Sequence, residues 1–214
     1  MFGMLAIAAF GVVQGPAAMD FSQPPQLRNP QALITYEDYP TESLRRNEYG
    51  IVSIMITVST DGKVSTCQVT ESSGFATLDL ATCSLFNKRA KFEPAKDAAG
   101  LPIEGKYRLS NSWGLEEHQP RTTIDVPLQV SSVPSDYRSP VKARLVFDAT
   151  GHVTACEVTT TSGSVVADRA ACAYIKQQLA IAAPKSASMD IPPVAVRYLI
   201  ASLSKREADP SPKQ

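Results

Sequence analysis

The stretch that decides the fold is VSIMITVSTDGKVSTCQVTESSGFATLDLATC, residues 52–83. Over residues 52–59 apolar and polar side chains alternate, which is the period of a half-buried β-strand. Asp61-Gly62 then predicts a tight hairpin turn, because glycine supplies the positive φ that such turns favour. Residues 64–69 return as a second strand, and residues 78–88 carry apolar side chains at helical spacing. The stretch therefore predicts a β-hairpin followed by a helix.

A second stretch, VKARLVFDATGHVTACEVTTTSGSVVADRAAC at residues 141–172, matches the first at a constant offset and without a gap. Residue 52 corresponds to residue 141 and residue 83 to residue 172, so the offset is 89 positions. The matches fall on turn, core and cysteine positions, among them Gly62 with Gly151, Val64 with Val153, Cys67 with Cys156, Asp79 with Asp168 and Cys83 with Cys172. Agreement at so many of these positions predicts a tandem duplication.

Outside the two stretches, a third strand is expected after each helix, at residues 103–113 and 194–203. A short helix is expected at residues 41–48, whereas residues 124–133 are read either as an extra strand or as an irregular lead-in. The predicted fold class is therefore α+β: two tandem small modules, each a three-stranded antiparallel sheet with one or two helices.

The expected domain bounds follow from this order. The modules span residues 30–113 and 122–204, and a polar linker at residues 114–121 joins them. The charged, proline-bearing tail at residues 205–214 is expected to be disordered.

The N-terminal residues are read as a targeting segment. An apolar run followed by small residues in MFGMLAIAAFGVVQGPAAMD favours an export signal over residues 1–18, with a short anchor as the alternative. The run is shorter than the roughly 20 apolar residues that cross a bilayer. The chain has 21 basic and 21 acidic residues and so no net charge. Nucleic-acid-binding proteins usually have a basic excess, so no nucleic-acid partner is expected.

The four cysteines form two pairs with the same spacing, Cys67 with Cys83 and Cys156 with Cys172. In each pair one cysteine is expected on the second hairpin strand and the other on the helix that packs against it, within disulfide reach. The even count, the repeated spacing and the export signal favour two structural disulfides, one in each copy. Metal binding or reactive thiols remain the alternatives, although no Cys-x-x-Cys motif is present.

The polar residues that suggest chemistry also have structural interpretations. Ser72-Ser73-Gly74 resembles a nucleophile or phosphate loop, but a strand-to-helix turn with serine capping explains it better. Asp79 and Asp168 fall in first helical turns, where a carboxylate complements the helix dipole. His118 and His152 have no repeated counterpart and are expected at the surface. We therefore predict no enzymatic activity, no cofactor and no metal site.

Residues 34–113 resemble the C-terminal domain of the TonB family, the periplasmic end of the energy transducer for outer-membrane receptors. The resemblance rests on an ordered series of motifs: Tyr39-Pro40, Gly50-x-Val52, Asp61-Gly62-x-Val64, Ser72-Ser73-Gly74, Leu78-Asp79, Phe92-x-Pro94, Gly100-x-Pro102 and Trp113. The second stretch keeps Gly151-x-Val153, Ser162-Gly163 and Asp168, and is interpreted as a diverged copy.

In that family the domain binds a short receptor segment by adding it as a strand to an exposed sheet edge. The resemblance implies a periplasmic protein whose partner is an outer-membrane receptor segment or another envelope protein. Membrane contact is expected only through an uncleaved N-terminus, which would attach the chain to the inner membrane. The residues implied in partner binding are Tyr39, Pro40, Lys106, Tyr107, Arg108, Leu109, Ser110 and Trp113.

A full transducer also has an N-terminal membrane helix and a long proline-rich span. Here the apolar run and the proline-bearing stretch at residues 23–30 are both short. The predicted function is therefore protein binding, implied in TonB-dependent transport across the outer membrane. The alternative is a structural envelope protein with no energy-transducing role. The two hypotheses differ in whether the strand edge at residues 106–113 is free or covered by the second copy.

Overall fold

The computed structural model of the protein describes residues 23–30 and 33–206. The predicted export signal at residues 1–18 lies outside the described residues, and so do residues 207–214. The α-helices of the described part are Thr41–Arg45 (α1), Ala76–Arg89 (α2) and Val165–Gln178 (α3). Its strands are Gln26–Leu27 (β1), Gly50–Val58 (β2), Val64–Glu71 (β3), Phe92–Glu93 (β4), Ala95–Lys96 (β5), Pro102–Ile103 (β6), Gly105–Trp113 (β7), Thr123–Val130 (β8), Val141–Phe147 (β9), Val153–Thr160 (β10) and Ala195–Lys205 (β11). This mixture of helices and sheets confirms the α+β class.

Strands β2, β3 and β7 form an antiparallel sheet in the order β3-β2-β7, here called the N-terminal sheet. The alternation predicted for β2 is present, since Val52, Ile54, Ile56 and Val58 are all fully buried. Helix α2 packs its buried side chains, including Leu78 and Phe86, into the same core. The apolar side chains of the hairpin and the helix therefore form a core on one face of the sheet.

Strands β8 to β11 form the second sheet, in the order β10-β9-β11-β8, here called the C-terminal sheet. Strands β10, β9 and β11 pair with one another in antiparallel orientation. They pack on α3 through residues such as Leu145, Ile175 and Leu199. The sheet departs from the predicted three strands because β8 adds a fourth, which runs parallel to β11. The segment at residues 124–133 thus contributes an extra strand and not an irregular lead-in.

The two sheets use the same strand order for their matching elements. Leu109 of β7 pairs with Ile54 of β2, and Leu199 of β11 pairs with Ala143 of β9. Ile54 and Ala143 are 89 positions apart, so Leu109 and Leu199 occupy equivalent places in the two sheets. The outer edges of β7 and β11 are therefore equivalent edges of the two sheets.

Both predicted disulfides are present. Cys67 is joined to Cys83 and Cys156 to Cys172, and each pair has a Cα–Cα distance of 5.7 Å. Each bond connects the second hairpin strand to the helix that follows it, and the described residues contain no free cysteine.

The two halves of the chain are in contact through the back of the N-terminal sheet. The amide of Val194 donates to the carbonyl of Thr70, at 2.8 Å, and the amide of Ser72 donates to the carbonyl of Lys185, at 2.9 Å. Arg197 of β11 forms a buried ion pair with Glu71 of β3. These bonds fix strand β11 against the N-terminal sheet.

Two local expectations were wrong at their boundaries. Helix α1 ends at Arg45 and not at residue 48, because Asn47 adopts a left-handed conformation with φ 51° and reverses the chain. Lys205 was expected in a disordered tail, but it is the last residue of β11, and the amide of Arg206 donates to the carbonyl of Val130 at 2.8 Å.

Candidate functional site: the outer edge of strand β7

Strand β7 is an edge strand of the N-terminal sheet. It pairs with β2 along its whole length, from Gly105 opposite Val58 to Trp113 opposite Gly50. On its other side, no strand pairs with it among residues 23–30 and 33–206. An unpaired edge of nine residues offers a row of backbone donors and acceptors to an incoming strand.

The even-numbered residues of β7 carry the outward-facing backbone groups. The carbonyl of Arg108 accepts a bond from Nη1 of Arg144 at 2.9 Å, and the amide of Ser110 donates to the hydroxyl of Tyr198 at 3.5 Å. Both partners belong to the C-terminal half, and not to β2. Since the N–H and C=O of one residue in an antiparallel ladder point to the same side, Lys106, Arg108, Ser110 and Ser112 face outward.

The edge is partly covered by side chains of the C-terminal half. The guanidinium of Arg144 lies 5.0 Å from the centre of the Tyr107 ring and also donates from Nε to Glu157, at 3.1 Å. Burial raises the pKa of the Tyr107 hydroxyl, an effect that the nearby Arg144 partly opposes. The two side chains that reach the edge, Arg144 and Tyr198, bond to two of its outward groups without forming a strand.

A cavity of about 340 Å³ opens beside this edge. Its lining includes apolar side chains from the N-terminal segment, from α2 and from β7, together with one amide: Leu27, Leu33, Ile34, Phe86, Leu109 and Asn111. The Nδ2 atom of Asn111 is buried and has no hydrogen-bond partner among the described residues. The Oγ atom of Ser110 is also buried and has no hydrogen-bond partner among the described residues. Buried polar atoms are nearly always bonded in folded proteins, so two unpartnered ones on consecutive edge residues are unusual.

The residues around the cavity have equivalents in the C-terminal sheet, because β7 and β11 have the same register on β2 and β9. Asn111 is equivalent to Ala201, and Phe86 is equivalent to Ile175 of α3. In the C-terminal half, Ala201 lies opposite Val126 of β8, which packs against the core that contains Ile175. The cavity beside β7 thus lies at the position that an apolar side chain of a fourth strand occupies in the other sheet.

Tyr39 and Trp113, two of the residues implied in partner binding, lie in the core. Their exposed fractions are 6% and 2%, and their rings meet edge to face with centroids 5.2 Å apart. Nε1 of Trp113 donates to Oγ1 of Thr82 at 2.9 Å, and the hydroxyl of Tyr39 donates to the carbonyl of Glu48 at 2.5 Å. Burial raises the pKa of that Tyr39 hydroxyl. Trp113 thereby ties the end of β7 to α2, and Tyr39 packs against Trp113, so both side chains are almost fully buried.

The other implied residues are distributed along the edge. Lys106 is exposed, Tyr107 and Arg108 are half-buried, and Leu109 and Ser110 are buried. Pro40 precedes α1 at its N-cap position. The contributions of Asn111, Phe86, Ile34, Arg144 and Tyr198 were not found from the sequence. Comparing Asn111 with its counterpart Ala201 was the available signal, because a polar residue replaces a core residue of the repeat there.

The residues considered for catalysis have structural partners. Oδ1 of Asp79 accepts the amide of Ser73 at 2.9 Å, and Oδ1 of Asp168 accepts the amide of Ser162 at the same distance. Both carboxylates thereby close the turn between the second strand and the helix. His118 stacks on Tyr49 with ring centroids 4.3 Å apart.

Metal-binding clusters and membrane-spanning helices are both absent from the part of the chain that the structure describes. No group of three or more His, Cys, Asp and Glu side chains there is arranged to hold a metal ion. None of the helices in the described ranges is long and apolar enough to cross a membrane.

Comparison with known proteins gives one match. Residues 35–115, less than half of the 214 residues, match the family described as Gram-negative bacterial TonB protein C-terminal. Searches of curated proteins and of solved structures find no match. Domains of that family are periplasmic, have no enzymatic activity and bind outer-membrane receptors. The matched range contains β2, β3, α2 and β7, and therefore the whole N-terminal sheet with its open edge. Over residues 35–115, this chain is therefore similar to the TonB C-terminal domain family.

Proposed function

We propose that the protein binds a segment of an outer-membrane receptor, which adds to the N-terminal sheet as a fourth strand on the outer edge of β7. The observation that carries this proposal is the unpaired edge of β7 within the range that matches the family. Backbone pairing along such an edge supplies affinity, and side-chain pockets supply selectivity. The chain thereby takes part in TonB-dependent transport as a binding module.

The incoming strand runs parallel to β7 in this proposal. Strand β11 is equivalent to β7 by register, and its outer edge already pairs with a parallel strand, β8. The cavity of about 340 Å³ receives an apolar side chain of the partner, as the equivalent region receives Val126. A carbonyl or carboxamide oxygen of the partner accepts the bond that Asn111 Nδ2 does not make within the described residues.

Each implied residue has a role in this proposal. The backbones of Lys106, Arg108 and Ser110 pair with the partner, and Tyr107 and Leu109 line its path. Tyr39, Pro40 and Trp113 act indirectly, by holding β7 in place. The C-terminal half, with its matching strand order and disulfide, is a diverged second copy of the module.

One observation favours the alternative of a structural envelope protein. Arg144 and Tyr198 bond to two outward groups of β7, so the second half covers part of the edge that a receptor segment needs. A binding module must release these two side chains when the partner arrives. A structural protein would keep both side chains bonded to β7.

The experiment measures amide hydrogen exchange in the full chain, with and without synthetic peptides copying periplasmic segments of the outer-membrane receptors of the source organism. A bound strand should protect the amides of Arg108 and Ser110, which face outward, while the odd-numbered amides already paired with β2 change little. Arg108→Pro removes one outward N–H and should abolish the protection. Arg108→Ala keeps that N–H and is the matched control. Binding that leaves the even-numbered amides unprotected, or no binding by any peptide, would support the structural alternative.

A further inference from the structure

Strand β8 pairs with the outer edge of β11. The equivalent edge of β7 has no paired strand among the described residues. The two strands pair in parallel over eight positions, from Thr123 opposite Tyr198 to Val130 opposite Lys205. The ladder continues at both ends, where the amide of Tyr198 donates to the carbonyl of Thr122 and the amide of Arg206 donates to the carbonyl of Val130, both at 2.8 Å. The even-numbered residues of β11 therefore face β8, and its odd-numbered residues face β9.

The attachment of β8 to the rest of the fold is narrow. It pairs with no other described strand, and Leu128 is its one buried residue. Pro127 faces away from β11, so its missing amide leaves the ladder with β11 intact and hinders pairing of a further strand on the outer side of β8. Since β8 is an edge strand held along one side, it can leave without opening the β10-β9-β11 core.

A cavity separates part of β8 from helix α3. It measures about 390 Å³, and its lining includes Pro127, Leu128 and Val130 of β8, Leu203 of β11 and Tyr174 of α3. The side chain of Tyr174 is half exposed, at 50%. The C-terminal half of β8 therefore lacks close packing on the helix, and this lowers the energy needed to lift it from β11.

We propose that β8 is a displaceable strand that closes a second strand-binding edge, on β11. The partner that replaces it is an extended protein segment that runs parallel to β11 and carries apolar side chains at alternate positions. That chemistry is the one β8 itself presents, with Ile124, Val126 and Leu128 packed against the core of the C-terminal sheet. Release of β8 exposes the outward amides and carbonyls of Tyr198, Ile200, Ser202 and Ser204. The inference concerns β11 alone and does not require that β7 binds a receptor.

Hydrogen exchange on the unmodified chain is the first test, because β11 contains its own control. The amides of Tyr198 and Ile200 point to β8, and those of Leu199 and Ala201 point to β9. We expect the first pair to exchange at least about tenfold faster, because β8 opens locally while β9 stays paired. Equal rates for the two sets would mean that β8 opens only when the whole sheet unfolds, and would overturn the proposal.

The second test measures binding of a strand in trans. A fluorescent peptide copying residues 122–131 is titrated into the full chain with Leu128→Asp, which weakens the hold of β8 on the core. We expect one peptide to bind and to restore slow exchange at Tyr198 and Ile200, at least about tenfold more tightly than to the unmodified chain. Gln129→Asp adds the same charge on an exposed neighbour and should leave the affinity unchanged. A peptide with Asp at each of the three apolar positions should not bind.

The site of peptide binding separates this inference from the function proposed for β7. Protection confined to even-numbered amides of β11 supports a second edge. Peptide binding that protects only Arg108 and Ser110 would place the peptide on β7 and would overturn the claim for β11. No binding to the Leu128→Asp chain, provided that its circular dichroism matches that of the unmodified chain, would also overturn it.

Discussion

Arg197 on β11 and Glu71 on β3 form a two-point ion pair between the two sheets. The Nη1 and Nη2 atoms of Arg197 lie 2.8 and 2.7 Å from the two carboxylate oxygens of Glu71. Ser53 also donates to Glu71, at 2.6 Å, and its oxygen accepts the amide of Val196 at 3.0 Å. The register of β11 against the N-terminal sheet is therefore fixed by a buried polar network that crosses between the halves.

We predict that Arg197→Met lowers the free energy of unfolding by about 3–5 kcal/mol, because it leaves the carboxylate of Glu71 buried without its partner. Urea denaturation followed by circular dichroism measures the change. The double variant Arg197→Met with Glu71→Leu should recover most of the loss, since both charges are then removed. A double variant no more stable than the single one would contradict this account of the network.

The disulfide between Cys67 and Cys83 should contribute about 3 kcal/mol, since the 16-residue loop that it closes restricts the unfolded chain. Cys67→Ala with Cys83→Ala is expected to lower the melting temperature and leave peptide binding at β7 unchanged below it. The matching pair, Cys156→Ala with Cys172→Ala, should give a similar loss, because its sequence separation is the same. An unchanged melting temperature in either variant would contradict a stabilising role for that bond.

Asp38 should make stability depend on pH. Hydrogen bonds from Arg89, above all, hold the pKa of the Asp38 carboxyl well below its usual value of 3.8. A carboxyl whose pKa is lower in the folded state stabilises the fold fully above the unfolded pKa, and the contribution disappears as pH falls through the folded pKa. The unmodified chain should therefore lose more stability below about pH 4 than Asp38→Asn does. Glu104→Gln, at an exposed position, is the control and should follow the unmodified chain.

Arg144 should limit access to the edge of β7, because its guanidinium bonds to the outward carbonyl of Arg108. Arg144→Ala is predicted to strengthen binding of a receptor peptide to that edge roughly tenfold, the equivalent of one hydrogen bond from a charged donor. Arg169→Ala removes the same charge from an exposed site on α3 and should not change the affinity. Fluorescence titration measures both, and equal affinities would exclude Arg144 as a barrier.

Asn111 should lower the free energy of unfolding and strengthen the binding of a peptide at β7. Its buried amide nitrogen has no partner among the described residues, so Asn111→Ala is expected to raise the free energy of unfolding by about 1 kcal/mol, while a peptide at β7 binds more weakly. The reciprocal change, Ala201→Asn, buries an amide in the core of the C-terminal sheet and should destabilise the chain by about 1–3 kcal/mol. Denaturation and peptide titration of both variants check the pair. A loss of stability in Asn111→Ala would show that the amide is bonded in solution.

The local elements could be predicted from the sequence because their signals are local. The alternation in residues 52–59, the Asp61-Gly62 turn and the helical spacing after Gly74 each act within a few residues. The cysteine spacing likewise identified both disulfides, because each joins a strand to the helix immediately after it. The family resemblance, which rests on the order of such motifs, was confirmed for residues 35–115.

The features that form between distant segments could not be predicted. Residues 124–133 were read either as a strand or as a lead-in, since the partner of β8 lies some 75 positions later in the chain, as Thr123 opposite Tyr198 illustrates. The ion pair of Glu71 with Arg197 and the cavity beside Asn111 depend on which surfaces meet. Nothing in the local pattern around Tyr39 or Trp113 distinguished a core aromatic residue from one at the surface.

The pairing of β8 with β11 has a consequence for the order of folding. All strands of the N-terminal sheet precede β8, so that sheet can assemble from contacts already available as the chain emerges. Strand β8 emerges next, but its partner is the last strand of the described chain, and loop closure over that distance is slow. During this interval β8 is unpaired while β7 presents an unpaired edge nearby. The nascent chain therefore holds both strands of a β7–β8 mispairing, and the pairing of β8 with β11 removes it once β11 has been synthesised.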